Sequence, residues 1–165
     1  MRQMDLPPRV GDRPGATAAL PHAQLGQQPA STRDLDYVLA EAATWPHVTV
    51  QPSRIAVEGS RALVLTDDAQ TGPSEAFMIG REFCHGHAPG DSSLHAALPR
   101  HLARAAQEAG WGEPHYLVHT HQASPSITML YAPRDQAEPD VILRLVRASY
   151  QFALGVVDRA EAAMP

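Results

Sequence analysis

Residues 47–66 read HVTVQPSRIAVEGSRALVLT, and this stretch decides the fold class. It divides into HVTVQ (47–51), RIAVEG (54–59) and RALVLT (61–66), three short runs of alternating or β-branched residues separated by Pro52 and by Gly59-Ser60. β-Branched residues suit a pleated surface and Pro and Gly interrupt it, so the runs predict three consecutive antiparallel strands. Upstream, Ser31 stands three residues before Asp34, and Leu35, Val38, Leu39 and Ala42 recur at helical spacing until Trp45-Pro46, which predicts a helix over 32–44. Downstream, EAFMIGREFCHGH (75–87) and SLHAALP read as a hairpin around Pro89 to Asp91. Pro99 opens and Gly110 closes a helix of about 99–109, WGEPHYLVHTHQASPS is loop-like, SITMLYAP (126–133) is a further strand, and an acidic start at Asp135 leads into a last helix ending near Gly155. This order lacks the βα alternation of a parallel sheet. It predicts an α+β two-layer domain: an antiparallel-dominated sheet of about six strands, helices packed on one face, the other face open for a ligand.

The chain has 165 residues, which suits one domain. Residues 1–30 hold Pro7, Pro8, Pro14, Pro21 and Pro29 with no period of 2 or 3.6, and predict an extended or disordered arm before a domain over 31–155 and a tail over 156–165. Hydrophobic residues make up 44% and charged residues 19%, the balance of a chain that can bury a core. The formal net charge is −5 and every basic residue is Arg, which disfavours a phosphate-neutralising nucleic-acid binder. A single cysteine, Cys84, cannot form an intramolecular disulfide and fits a reducing compartment. The N-terminal residues have no apolar core of a signal peptide, and no stretch approaches the roughly 20 apolar residues of a membrane span, so the expectation is a cytoplasmic protein with no membrane partner.

Nine histidines are present, and three of them, His85, His87 and His95, fall within CHGHAPGDSSLH. Alternate residues of a strand share a face, so His85 and His87 point together while Cys84 and Glu82 lie on or toward the other pleat. A turn near Gly90-Asp91 predicts His87 opposite His95 and His85 opposite Ala97, with all three imidazoles on one face. Such a set can ligate zinc, iron or copper, can work without metal as general base and oxyanion support, or can be structural hydrogen-bonding groups. Asp91 can fix an imidazole tautomer or simply serve the turn. Cys84 reads as a small buried hydrophobe. His115 reaches the site from its loop or lies at the surface, whereas His119 and His121, in a Thr- and Ser-rich loop, are expected in solvent. Arg134, at a strand end, can pair an anionic substrate or the acidic helix start beside it.

EFCHGHAPGDSSLHAALP, GWGEPH, MLYAPRD and the apolar helix ending ASYQFA together resemble the luciferase-domain family, which includes the luciferases of bioluminescent fungi and many bacterial proteins of unassigned function. The likeness covers about residues 75–155, and PHAQL (21–25) is similar too. The family pattern is His-x-His followed by proline, a Ser-x-x-His or Ser-x-His element, Gly-Trp followed by an acid and His, and Tyr-x-Pro-Arg. Here these fall on His85, His87, Ser93, His95, Trp111, His115, Tyr131, Pro133 and Arg134, with Ala88 where a proline often stands. The fungal activity is oxygenation of a 3-hydroxy-pyrone with light emission and loss of carbon dioxide, with no established organic cofactor. The resemblance implies a pocket for an enolisable hydroxy-pyrone or similar small aromatic that reacts with dioxygen. His85, His87, His95, His115 and Arg134 are then the catalytic candidates, and Asp91, Ser93, Trp111 and Tyr131 the substrate-binding ones. The leading expectation is a cofactor-independent oxygenase. The alternatives are a metal-dependent enzyme with His85, His87 and His95 as ligands to zinc, iron or copper, and a non-catalytic module for a small ligand.

Overall fold

The computed structural model describes residues 4–135 and 137–156. Along the chain, a two-stranded ribbon of β1 (Gly15–Ala16) and β2 (Gln24–Leu25) precedes α1 (Arg33–Ala43), β3 (Val48–Pro52), β4 (Arg61–Leu65), β5 (Glu82–Gly86), β6 (Leu94–Ala97), α2 (Arg100–Glu108), β7 (Gly112–Pro114), β8 (Ile127–Leu130) and α3 (Glu138–Ala153). The last eight of these elements and α1 build an α+β domain. Its six-stranded sheet has the order β3-β4-β5-β6-β8-β7, and every neighbouring pair is antiparallel.

Helices cover one face. Leu35, Val38, Leu39 and Ala42 are the apolar positions of α1, and Ile142, Leu145, Val146 and Ala153 those of α3; all are buried against Leu63, Cys84, Ala96 and Leu130 of the sheet. Leu102, Ala103 and Ala106 of α2 join the same cluster beside Trp111. Each such leucine, isoleucine or valine side chain contributes about 1.5–3 kcal/mol by leaving water. The approach of α1 is close because β5 offers Gly86 there: a Cβ at that position would lie 3.0 Å from Leu35 and 3.1 Å from Leu39 side-chain carbons. Acidic Glu138 and Asp140 sit in the first turn of α3, where the helix dipole favours them.

Three local expectations change. Residues 54–59 are not a strand but the loop of the β3–β4 hairpin, because Ser53 Oγ accepts from the backbone N–H of Ile55 and Ala56 and holds a turn that hides the β-branched pattern. Residues 75–81 are not part of a hairpin strand either: Ser74–Ala76 form one 3₁₀ turn and β5 begins only at Glu82. Conversely, the loop-like WGEPH stretch contains β7, an edge strand paired to β8. The segment before residue 31, expected as extended or disordered, packs on the domain from Met4 onward and folds back once in the β1–β2 ribbon. Trp111 Nε1 donates to Pro7 O at 2.6 Å, the Arg9 backbone N–H donates to Ala109 O at 2.8 Å, and Gln24 Oε1 accepts from the Ala132 N–H at 2.8 Å. Of the expected tail, residues 157–165 lie outside the described residues. No helix among the described residues is long and apolar enough to cross a membrane.

Candidate functional site

On the face away from the helices, strand register sets Ala62, His85, His95, Met129 and Glu113 side by side on β4, β5, β6, β8 and β7. His85 is therefore opposite His95, two residues from the pairing expected. The turn closes from Ala88 to Asp91, with Gly90 at φ 100°, and the hairpin is centred on residue 90. A two-residue change keeps the parity, so His85, His87 and His95 still share one face.

Glu82 belongs to this face too, against expectation. The register runs Leu63 to Cys84 and Val64 to Glu82, so Phe83 is an extra residue in a β-bulge. Phe83 and Cys84 both turn into the core, and Ser149 Oγ donates to the Phe83 carbonyl at 3.0 Å. The bulge thereby returns Glu82 to the side of His85, where Glu82 Oε1 lies 2.7 Å from His85 Nδ1. The carboxylate also accepts from Ser53 Oγ at 2.8 Å.

His87 Nδ1 faces Asp91 Oδ2 at 3.0 Å and Ser93 Oγ at 2.8 Å. Burial alone would raise the Asp91 pKa, but hydrogen bonds from His87 and Ser93 outweigh it and hold the carboxyl well below its ordinary range. His95 Nδ1 is 3.0 Å from His85 Nε2 and 2.8 Å from His87 Nε2. Burial lowers the His85 pKa; it lowers that of His95 much further, with the neighbouring histidines adding to the effect.

A fourth and a fifth imidazole complete the wall. His22, carried by the N-terminal arm, puts Nδ1 3.1 Å from His95 Nε2 and stacks on it with ring centroids 5.2 Å apart. Its Nε2 is 3.3 Å from Glu113 Oε1, a buried oxygen that no hydrogen bond among the described residues satisfies. His115 has its ring 4.6 Å from that of His95, and its Nδ1 accepts from the Leu117 N–H at 3.1 Å. Its pKa is pushed down to about 4, first by burial and then by His22, His85 and His87. It is therefore neutral at pH 7 with its proton on Nε2, a hydrogen-bond donor.

These five histidines form one wall of a cavity of about 680 Å³. The remaining lining is mainly apolar, with Leu20 from the arm, Ile55 and Val57 from the β3–β4 loop, Phe77, Leu117 and Ile127, and no Arg, Asp or Glu among the described residues lines it. An arrangement of this kind can bind an uncharged, largely apolar molecule and offer its polar edge to imidazoles. Two sets of nitrogens lie close enough to hold a cation, His85 with His87 and His95, and His22 with His95 and His115.

Residues 80–149 match the family model described as a luciferase domain. The chain is 31% identical over 166 aligned positions to a luciferase of Armillaria mellea, and 30% identical over 162 positions to luciferases of Armillaria ostoyae and Neonothopanus nambi. The chain is thus similar to the luciferase-domain family. Each of these alignments takes in 90% of the chain and 61% of the relative, so the chain spans less than two thirds of the length of the luciferases it matches. No solved structure matches it.

In the structure the expected site residues separate into two groups. His85, His87, His95 and His115 line the cavity, and Asp91 and Ser93 stand behind His87. Trp111, Tyr131 and Arg134 do not line it. Trp111 holds Pro7; Tyr131 lies under Arg9, whose guanidinium carbon is 5.3 Å from the ring centre; Arg134 pairs with Glu138 and donates to Val10 O at 2.8 Å. All three clamp the arm that carries His22. His119 and His121 are exposed, away from the wall. His22, Glu82 and Glu113 were not singled out as site residues by sequence reasoning. For His22 the usable signal was the PHAQL stretch, where His22 faces the wall and Gln24 binds the domain backbone.

Proposed function

We propose that the chain is an oxygenase that acts on an uncharged, enolisable small aromatic of the hydroxy-pyrone type, with dioxygen as the second substrate. One observation carries the reading: a charge-free, mainly apolar cavity whose polar wall is made of histidines backed by carboxylates, in a chain whose relatives are named luciferases. In the metal-free protein, His87 Nε2 accepts the proton of the substrate hydroxyl, since Asp91 holds the other ring proton on Nδ1. The enolate oxygen receives a hydrogen bond from His115 Nε2–H. An electron pair of the enolate carbon then forms a bond to dioxygen, which is reduced to a peroxide on the substrate. The apolar lining keeps water from competing for the anion.

Oxygen uptake by the purified protein with a panel of hydroxy-pyrones tests this. His87→Ala is expected to lower kcat by about 10²–10⁴-fold and His115→Ala by about 10²-fold, with circular dichroism unchanged. Uptake that survives His87→Ala, or no uptake with any pyrone, overturns the oxygenase. Pyrone binding that persists without turnover and survives each substitution assigns the cavity instead to a ligand-binding module.

A further inference from the structure

His85 Nε2, His87 Nε2 and His95 Nδ1 converge on the cavity wall, and the groups behind them determine where each ring keeps its proton. A neutral imidazole has one N–H. On His85 it is at Nδ1, facing the Glu82 carboxylate at 2.7 Å. On His87 it is again at Nδ1, facing Asp91 Oδ2 at 3.0 Å and Ser93 Oγ at 2.8 Å; Ser93 Oγ in turn donates to Asp91 Oδ1. His22 Nδ1 accepts from the Tyr116 N–H at 3.4 Å, so its 3.1 Å contact with His95 Nε2 needs the His95 proton on Nε2. Three bare lone pairs are left, with His95 Nδ1 3.0 Å from one and 2.8 Å from the other. Moving the His95 proton to Nδ1 relieves that contact and sets His95 Nε2 against the lone pair of His22. With one proton per ring and the outer hydrogen bonds to Glu82, Asp91 and the Tyr116 N–H kept, no assignment satisfies all three contacts. Lone pairs this close repel unless a cation lies between them.

We propose that His85 Nε2, His87 Nε2 and His95 Nδ1 bind one divalent transition-metal ion of borderline softness, of the zinc, iron or copper type. Metal–nitrogen bonds of about 2.0–2.1 Å with angles between octahedral and tetrahedral put ligand nitrogens about 2.8–3.4 Å apart, so the two short separations of 3.0 and 2.8 Å fall at the octahedral end of that range. Behind each ligand stands the outer partner that metal-bound histidines use to fix ring orientation: Glu82 behind His85, Asp91 behind His87, and His22 behind His95. No thiolate belongs to the set, because Cys84 points into the core. Three imidazoles leave coordination positions free, and these open on the cavity. The site rests on the reading of the cavity as reactive only for its consequence. With an ion bound, His87 Nε2 would be a ligand and not the base, and the ion would supply Lewis-acid polarisation of the substrate.

The decisive measurement is the metal content of the untagged, full-length protein grown with zinc, iron and copper, followed by titration of the chelator-treated protein with Co(II) and visible absorption. About one ion per chain is expected, absent from the His85→Ala/His87→Ala/His95→Ala variant and retained by His119→Ala/His121→Ala, which removes the exposed His-x-His of the loop. Glu82→Gln keeps the ligands and the side-chain volume, and should weaken Co(II) binding about 10- to 100-fold with unchanged circular dichroism. No ion in the wild type together with no Co(II) absorption overturns the site, as does an ion retained by the triple variant. Metal content and oxygen uptake fail separately: an ion without uptake keeps this site and removes the oxygenase, and uptake without an ion does the reverse.

Discussion

At His115 the ring proton sits on Nε2 because the Leu117 N–H occupies Nδ1, and burial among other imidazoles keeps a second proton off. Folded His85, His95 and His115 all have lowered pKa values, so between the ordinary histidine value of about 6.5 and the folded values the unfolded chain binds more protons than the native one. Stability from these groups is present above about pH 6.5 and is lost as pH falls toward 4, the value to which His115 is pushed. Asp91, also lowered, adds to the loss only below the ordinary carboxylate range. Thermal melts of chelator-treated protein should therefore show a falling Tm from pH 7.5 to 5, with a shallower slope in His115→Gln. A flat profile, or a rising one, would contradict the neutral cluster. The three histidines of CHGHAPGDSSLH were legible as a set because strand parity is local. Glu82 was not, since a single extra residue, Phe83, reverses parity within the same strand.

β5 is the element on which both layers depend: Gly86 and Cys84 face the helices while His85 faces the cavity with Glu82 behind it. Placing a methyl at Gly86 crowds the ends of Leu35 and Leu39, which can shift, so Gly86→Ala should cost about 1–3 kcal/mol. At Gly112 of β7 the added Cβ would fall inside contact distance of the Met129 carbonyl oxygen, a backbone atom with no freedom to move, so Gly112→Ala should cost more than Gly86→Ala. Urea midpoints at constant m-value measure both, and the reverse order would contradict this packing. Helical spacing marked α1 and α3 well, because each buries one continuous stripe. The stretches 54–59 and 75–81 misled, because β-branched residues there line a cavity loop or a turn rather than a sheet.

Across the molecule, residues 4–30 act as a strap. Gln24 and Gln28 bind Asp91 and its neighbours, Trp111 and Arg134 hold residues 7–10, and His22 is delivered to the histidine wall between these anchors. Arg134→Ala removes the side-chain partner of buried Glu138 and the donors to Val10 O and Gln27, and leaves Glu138 the backbone N–H of residue 134 at 2.7 Å and the more distant Arg9, 3.8 Å away. A loss of about 1.5–3 kcal/mol is expected, with faster hydrogen exchange over residues 5–13 and little change in exchange over α3. Unchanged stability with lost turnover would return Arg134 to the substrate. The α+β class, the one-sided helices and the strand-borne histidines were settled by the sequence itself, since periods of 2 and 3.6 are properties of a few neighbouring residues. Only the tertiary structure decided the pairing of His85 with His95, the return of Glu82, the arrival of His22 and the clamp made by Trp111, Tyr131 and Arg134. Each of these depends on a bulge, a turn length or a contact between segments distant in the chain, where one residue of register moves a side chain to the opposite face.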